Sequence, residues 1–167
     1  MKKIILSAFM LIGLTFAAQA QDISKNALGL RLGGNYDIAS EVSYQRGLSD
    51  KNRLELDLGW GSRNGIDAFK LTGIYQWLWN LNNNFKLYAG GGGGFGSWKK
   101  TNNNGDNLIF TYIFAAGDVG IEYNFNIPFQ LSLDIRPELE ILGDSSNPID
   151  KDTNSKTNIA LGVRYKF

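Results

Sequence analysis

From Ala27 to the last residue, apolar and polar side chains alternate along the chain, one segment after another. Successive side chains of an extended strand point to opposite faces, so the alternation demands strands with one apolar and one polar face. A helix needs a period of about 3.6, and no stretch of comparable length offers it. The first segment, near 27–35, sets Leu28, Leu30 and Leu32 against Gly29, Arg31 and Gly33. The second, near 40–46, sets Val42 and Tyr44 against Glu41, Ser43 and Gln45. In the third, Leu54, Leu56, Leu58 and Trp60 oppose Arg53, Glu55, Asp57 and Gly59. In the fourth, Phe69, Leu71, Tyr75, Trp77 and Trp79 oppose Lys70, Thr72 and Gln76.

The second half repeats the pattern. A fifth strand is expected near 85–97. A sixth, near 110–123, carries Ala115, Val119, Ile121 and Tyr123 opposite Asp118 and Glu122. The seventh is the clearest: Phe129, Leu131, Leu133, Ile135 and Leu139 alternate with Gln130, Ser132, Asp134, Arg136, Glu138 and Glu140. The eighth ends the chain, with Ile159, Leu161, Val163, Tyr165 and Phe167 against Asn158, Ala160, Gly162, Arg164 and Lys166. The connections near Tyr36, 47–52, 63–65, 80–84 and 124–128 are short. Those at 99–107 and 141–156 are long and rich in Asn, Asp, Ser and Gly. An up-and-down barrel places successive connections at opposite ends, and here both long ones fall at the same end.

The N-terminus reads as a targeting segment. Lys2 and Lys3 precede an apolar run from Ile4 to Ala17, and Ala18-Gln19-Ala20 presents small residues at the two positions a signal peptidase reads. Residues 1–20 are therefore expected to be removed, leaving one domain from Gln21 to Phe167. Losing Lys2 and Lys3 takes Lys+Arg from 17 to 15, against 16 acidic residues, so no basic excess favours nucleic acid. The chain has no cysteine for a disulfide and no histidine. The longest apolar run, from Leu108 to Gly117, is broken by Thr111 and is too short to cross a bilayer as a helix. Any membrane passage must use a closed barrel, because lipid cannot satisfy the backbone groups of an open strand edge.

Alternation alone does not say which face is inside, since a soluble eight-stranded carrier turns its apolar face inward. Tyr44, Trp77, Trp79, Phe85, Tyr123, Phe129, Tyr165 and Phe167 all fall on the apolar face near the short turns. A girdle of aromatic rings at one rim suits a headgroup layer and has no purpose in a soluble core. The apolar face is thus expected to meet lipid. The interior then receives Arg31, Glu41, Arg53, Glu55, Asp57, Lys70, Lys86, Asp118, Glu122, Asp134, Arg136, Glu138, Glu140, Arg164 and Lys166. Side chains fill the interior of an eight-stranded barrel, and buried ions must be paired, so a structural ion-pair network is expected rather than an ion path.

The chain closes on Gly162-Val163-Arg164-Tyr165-Lys166-Phe167. This resembles the carboxyl-terminal assembly signal of outer-membrane barrels, in which Gly162, Tyr165 and the terminal Phe167 match the pattern and Ala160 departs from it. With that ending, the whole of 21–167 is similar in strand and turn pattern to the small OmpX/OmpA-type barrels. The resemblance implies an all-β, eight-stranded antiparallel up-and-down transmembrane β-barrel in the outer membrane. It also implies partners: outer-membrane lipids, the barrel-assembly machinery and periplasmic chaperones during biogenesis, and an unidentified surface partner at the long loops. The activity it implies is structural or surface-interacting.

Other motifs are weaker. Gly91, Gly93 and Gly96 spell a G-x-G-x-x-G, but a dinucleotide site needs a helix after the turn, and Ser97-Trp98-Lys99-Lys100 leads into a polar loop. The glycines from Gly90 to Gly94 fit a bent or bulged strand, or one that makes room for bulky groups such as Tyr88 and Arg136. Asp150 to Asn154 opens like a calcium loop, but Ser155 stands at the required Gly and Leu161 at the closing Glu. The hydrolases and acyltransferases of similar architecture rely on a histidine base, so no catalytic residue, metal site or cofactor is expected. The alternatives left open are a soluble periplasmic carrier of an apolar ligand and a narrow channel.

Overall fold

The computed structural model describes residues 24–33, 38, 40–63, 65–82, 84–101, 107–143 and 155–167. The signal segment with Ala18, Ala20 and Gln21, the turn at Tyr36, and most of the two long connections, including Asp150 to Asn154, lie outside the described residues.

Eight strands form one closed antiparallel barrel in chain order. They are β1 (Asn26–Gly33), β2 (Ser40–Gly47), β3 (Asn52–Arg63), β4 (Ile66–Asn80), β5 (Phe85–Thr101), β6 (Asn107–Asn124), β7 (Phe129–Gly143) and β8 (Ser155–Lys166). The ring shuts between β1 and β8, with Leu28 opposite Tyr165 and Leu32 opposite Leu161. Closure gives every strand a paired neighbour on both sides, although the end of β3 beyond Gly59 and the start of β8 before Ala160 run past the described registers of β2 and β1. The wall is uneven: β1 and β2 have 8 residues each, whereas β5 has 17 and β6 has 18. The long connections are shorter than the sequence suggested, because β5 runs on to Thr101 and β7 to Gly143.

The polar phase of each strand points in. Arg31, Glu41, Glu55, Asp57, Arg136 and Arg164 are at most 1% exposed, while Leu30, Leu133 and Ile135 are about half exposed (48%, 50% and 49%). Two expected inward residues, Glu140 and Lys166, are only half-buried, because they sit at the two mouths of the barrel. Ile74 shares the polar phase of β4 and is buried.

The glycine run lies within β5 and is followed by more strand, not a helix. Gly90, Gly92, Gly94 and Gly96 take the inward phase. A Cβ at Gly92 would run into the carbonyl of Gly73 on β4, and one at Gly96 into the Tyr112 ring. The glycines therefore let β5 bend tightly against its neighbour and receive large rings on the inside. The groups they accommodate are not Tyr88 and Arg136. Gly94 and Gly96 face Phe114 and Tyr112 across the β5–β6 register, Gly90 lies against Gln76 and Ile74, and Tyr88 packs over Gly120.

Two irregularities mark the β6–β7 seam. The register shifts between Ile113 and Phe114, so that Phe114 faces Glu140 but Ile113 faces Leu142, and Ile141 becomes an extra residue. This bulge lets Ile141 and Leu142 both face outward. Lower down, Pro137 pairs with Thr157 of β8, while the β6–β7 ladder passes from Ala116↔Glu138 directly to Val119↔Ile135. Proline has no N–H to donate, which accounts for the missing rungs.

Candidate functional site: the charged barrel interior

Among the described residues, six basic side chains (Arg31, Arg53, Lys70, Lys86, Arg136 and Arg164) and seven acidic ones (Glu41, Glu55, Asp57, Asp118, Glu122, Asp134 and Glu138) are buried. A buried ion costs several kcal/mol unless it is paired and hydrogen-bonded. The near balance of signs allows extensive pairing, and the geometry arranges it in three linked tiers, with Arg53 Nη2 and Asp57 Oδ1 left without a hydrogen-bond partner.

At the inner end, beside the short turns, Arg53 donates through Nη1 to Glu122 and through Nε to Gln76. Its guanidinium lies 4.9 Å from the centre of the Tyr88 ring. Gln130 Nε2 ties Glu122 (2.9 Å) to Gln45 (3.2 Å), and Lys86 faces Glu122 in the register. The space enclosed by Ser24, Ala27, Gln45, Arg53, Lys86, Glu122, Asn124 and Gln130 is about 10 Å³, room for a single water.

The middle tier is organised by two arginines. Arg136 Nη1 donates to Asp57 (2.6 Å), Nη2 to Glu55 (2.7 Å) and Nε to Asp118 (3.3 Å). Arg164 donates to Ser43 Oγ (2.9 Å), Ser132 Oγ (2.8 Å) and Glu55 Oε2 (3.2 Å). Glu55 thus receives both arginines together with Gln45, and so joins the tiers. The guanidinium fork, with its fixed set of donors, can satisfy several carboxylates at once where a lysine cannot.

Toward the long connections, Arg31 bridges Glu41 (2.9 Å) and Asp134, and Lys70 Nζ lies 3.0 Å from Glu41 and 2.9 Å from Glu138. Above this tier the interior turns aromatic. The Lys70 ammonium is 5.8 Å from the Phe114 ring centre, Trp98 and Tyr112 meet edge to face at 5.8 Å, and Lys156 lies 4.7 Å over Trp98. Sequence reasoning missed this aromatic tier. Its signal was the pairing of Tyr112 and Phe114 with glycines across the register, which is invisible until the register is known.

The structure brings the expected inward residues together in this interior, except Glu140 and Lys166, which lie half-buried at its two mouths. What the arrangement can do chemically is limited: its charged groups are held by one another, and the inner end is closed by side chains.

The expected aromatic girdle forms a ring at the inner rim. Phe85 tilts against Tyr123 (4.7 Å), Phe129 meets Tyr165 edge to face (5.5 Å), Tyr165 stacks on Phe167 (6.5 Å), and Tyr44 Oη donates to Asn26 at 2.8 Å. Trp77 and Trp79 are exposed, and Tyr75 and Phe125 add to the ring. The aromatics are not confined to one rim, however. Trp60, Phe69 and Phe95 are exposed toward the other end, with Phe69 and Phe95 6.1 Å apart. From Trp79 up to Phe69, β4 climbs about 25 Å along the barrel axis at the usual strand rise and tilt, which is the height of an outer-membrane apolar band.

The carboxyl-terminal pattern has local structural reasons. Gly162 points inward, where a Cβ would strike Ser132 Oγ and the Arg164 guanidinium. Phe167 exchanges backbone bonds with Asn26 at 2.9 and 3.0 Å and so fastens the closing seam.

A closed up-and-down barrel of eight antiparallel strands, with a packed ionic interior and an apolar belt between two aromatic rims, has the architecture of the small outer-membrane barrels. Solved structures share it. The N-terminal β-barrel domain of Pseudomonas aeruginosa OprF superposes with a TM-score of 0.64 at 16% identity, over 86% of this chain and 98% of that one. Neisserial surface protein A (NspA) superposes with a TM-score of 0.63 at 14% identity, over 85% of this chain and 95% of that one. At such identities the likeness is one of fold. No protein-family model matches the sequence, and no curated protein matches it significantly.

Proposed function

We propose that this chain is an integral outer-membrane protein, exported with removal of residues 1–20, that is held in the bilayer by its barrel and acts through its outer connections as a structural or surface-interacting protein without catalysis. The observation that carries this reading is the inverted distribution of side chains. Charged groups fill the core, while Leu28, Leu30, Leu131, Leu133, Ile135, Ile159 and Leu161 are 36–59% exposed. Such an apolar belt is far larger than a soluble monomer exposes to water. The barrel-assembly machinery and periplasmic chaperones are the partners this reading requires during biogenesis, with Gly162, Tyr165 and Phe167 as the assembly signal. Nucleic acid is not among the partners.

The orientation is tested in proteoliposomes. Leu133→Cys carries a fluorophore into the belt, and Ser132→Cys carries one to the interior. Lipids brominated on their chains should quench the label at 133 strongly and the label at 132 much less. Equal quenching at both, or none at 133, overturns the membrane reading.

A further inference from the structure

On the lipid-facing side of the inner rim there is a notch. β3 begins at Asn52 opposite Trp77, whereas β4 continues through Leu78 and Trp79 to Asn80. The β2–β3 turn therefore stops above the end of β4 and leaves one flank of the Trp-bearing strand open. The turn is firmly built. Leu48 N and Ser49 N both donate to Asn52 O (2.9 and 3.2 Å), Lys51 N donates to Ser49 Oγ (3.3 Å), and Leu78 N donates to Lys51 O (2.8 Å). Ser49, Asp50, Lys51, Asn52, Trp77, Leu78 and Trp79 line an open surface groove of about 380 Å³ in the notch.

We propose that this notch binds one phospholipid with a zwitterionic, ethanolamine-type headgroup, a proposal that rests on the membrane reading above. The chemistry of the lining divides as such a lipid does. Trp77 and Trp79 offer apolar faces at the depth where the glycerol and upper chains lie. Adjacent Lys51 and Asp50 offer a cation for the phosphate and a carboxylate for the ammonium, with Ser49 and Asn52 as further polar contacts. An anionic headgroup without an ammonium satisfies Lys51 but is repelled by Asp50. The placement of charge is also selective. The other inner turns, 81–84 and 125–128, consist of Leu, Asn, Phe, Ile and Pro and carry no charge. The opposite-charge pair occurs only in the turn that flanks the tryptophan notch.

Native mass spectrometry of the delipidated full barrel in detergent, titrated with phosphatidylethanolamine, phosphatidylglycerol or free phosphoethanolamine, tests this. The wild type should retain one phosphatidylethanolamine, in preference to phosphatidylglycerol. Lys51→Glu should weaken that adduct by about tenfold, the effect of one charge-assisted hydrogen bond. Asp50→Asn should reverse the selectivity toward phosphatidylglycerol, which a merely structural role of the turn would not do. Heat-modifiable migration in gels checks that both variants are folded. Equal retention of the two lipids, unchanged selectivity in Asp50→Asn, or equally tight binding of free phosphoethanolamine overturns the proposal. Bromolipid quenching at position 133 reports the membrane reading separately, so the two failures are distinguishable.

Discussion

At the scale of single residues, stability turns on which partner is left behind when one is removed. Arg136 holds Glu55, Asp57 and Asp118 at once, and it is fully buried. Arg136→Ala takes the cationic partner from Asp57 and Asp118 and leaves Glu55 with Arg164 alone, and breaking a buried ion pair costs about 3–5 kcal/mol. Urea unfolding in lipid vesicles should show a loss of at least that size, whereas Lys166→Ala, at a half-buried mouth position, should change it little. Comparable midpoints for the two variants contradict the network's role. The sequence already placed Arg136 on the inward face, because side-chain parity is a local property of a strand. It did not reveal which carboxylates Arg136 would meet, since Asp57 and Glu55 lie on β3, across the barrel from β7.

At the scale of elements, the β6–β7 and β1–β8 seams differ from the rest of the ladder. The missing N–H of Pro137 leaves the facing Gly117 carbonyl of β6 without its strand partner, and inside a bilayer water does not replace it readily. Pro137→Ala supplies the missing N–H. It should raise stability by about 1 kcal/mol, the net worth of one hydrogen bond, and slow amide exchange along β6–β7. No change in exchange there counts against this account of the gap. The β1–β8 seam ends on Phe167, whose backbone bonds to Asn26 close the ring. Deleting Phe167 should leave export intact but lower the amount of barrel assembled in the outer membrane, read by fractionation. Refolding the same variant into detergent separates a lost recognition signal from a weakened seam. Normal outer-membrane levels of the deletion sink the assembly role. Strand existence and face were legible in the alternation of these segments. The bulge at Ile141 and the extension of β5 and β7 were not, because they depend on how far neighbouring strands continue.

At the scale of the whole molecule, the interior decides whether the barrel conducts. Three tiers of paired ions, an aromatic tier at one end and a water-sized space at the other occupy the interior among the described residues. Planar-bilayer recordings of the purified barrel should show little or no steady conductance, and large reproducible single-channel steps contradict the filled interior. By itself, the sequence determined that the chain forms amphipathic strands, which residues share a face, and that the polar face carries nearly balanced charge. These follow from parity and composition, which act along the chain. Only the tertiary structure decided that Arg136 would clasp Asp57, that Phe114 and Tyr112 would settle over the β5 glycines, that Trp60, Phe69 and Phe95 would form a second rim, and that Trp77 and Trp79 would flank a charged turn. Those outcomes depend on register and closure, which bring together residues far apart in the chain, and no local pattern encodes the distance between them.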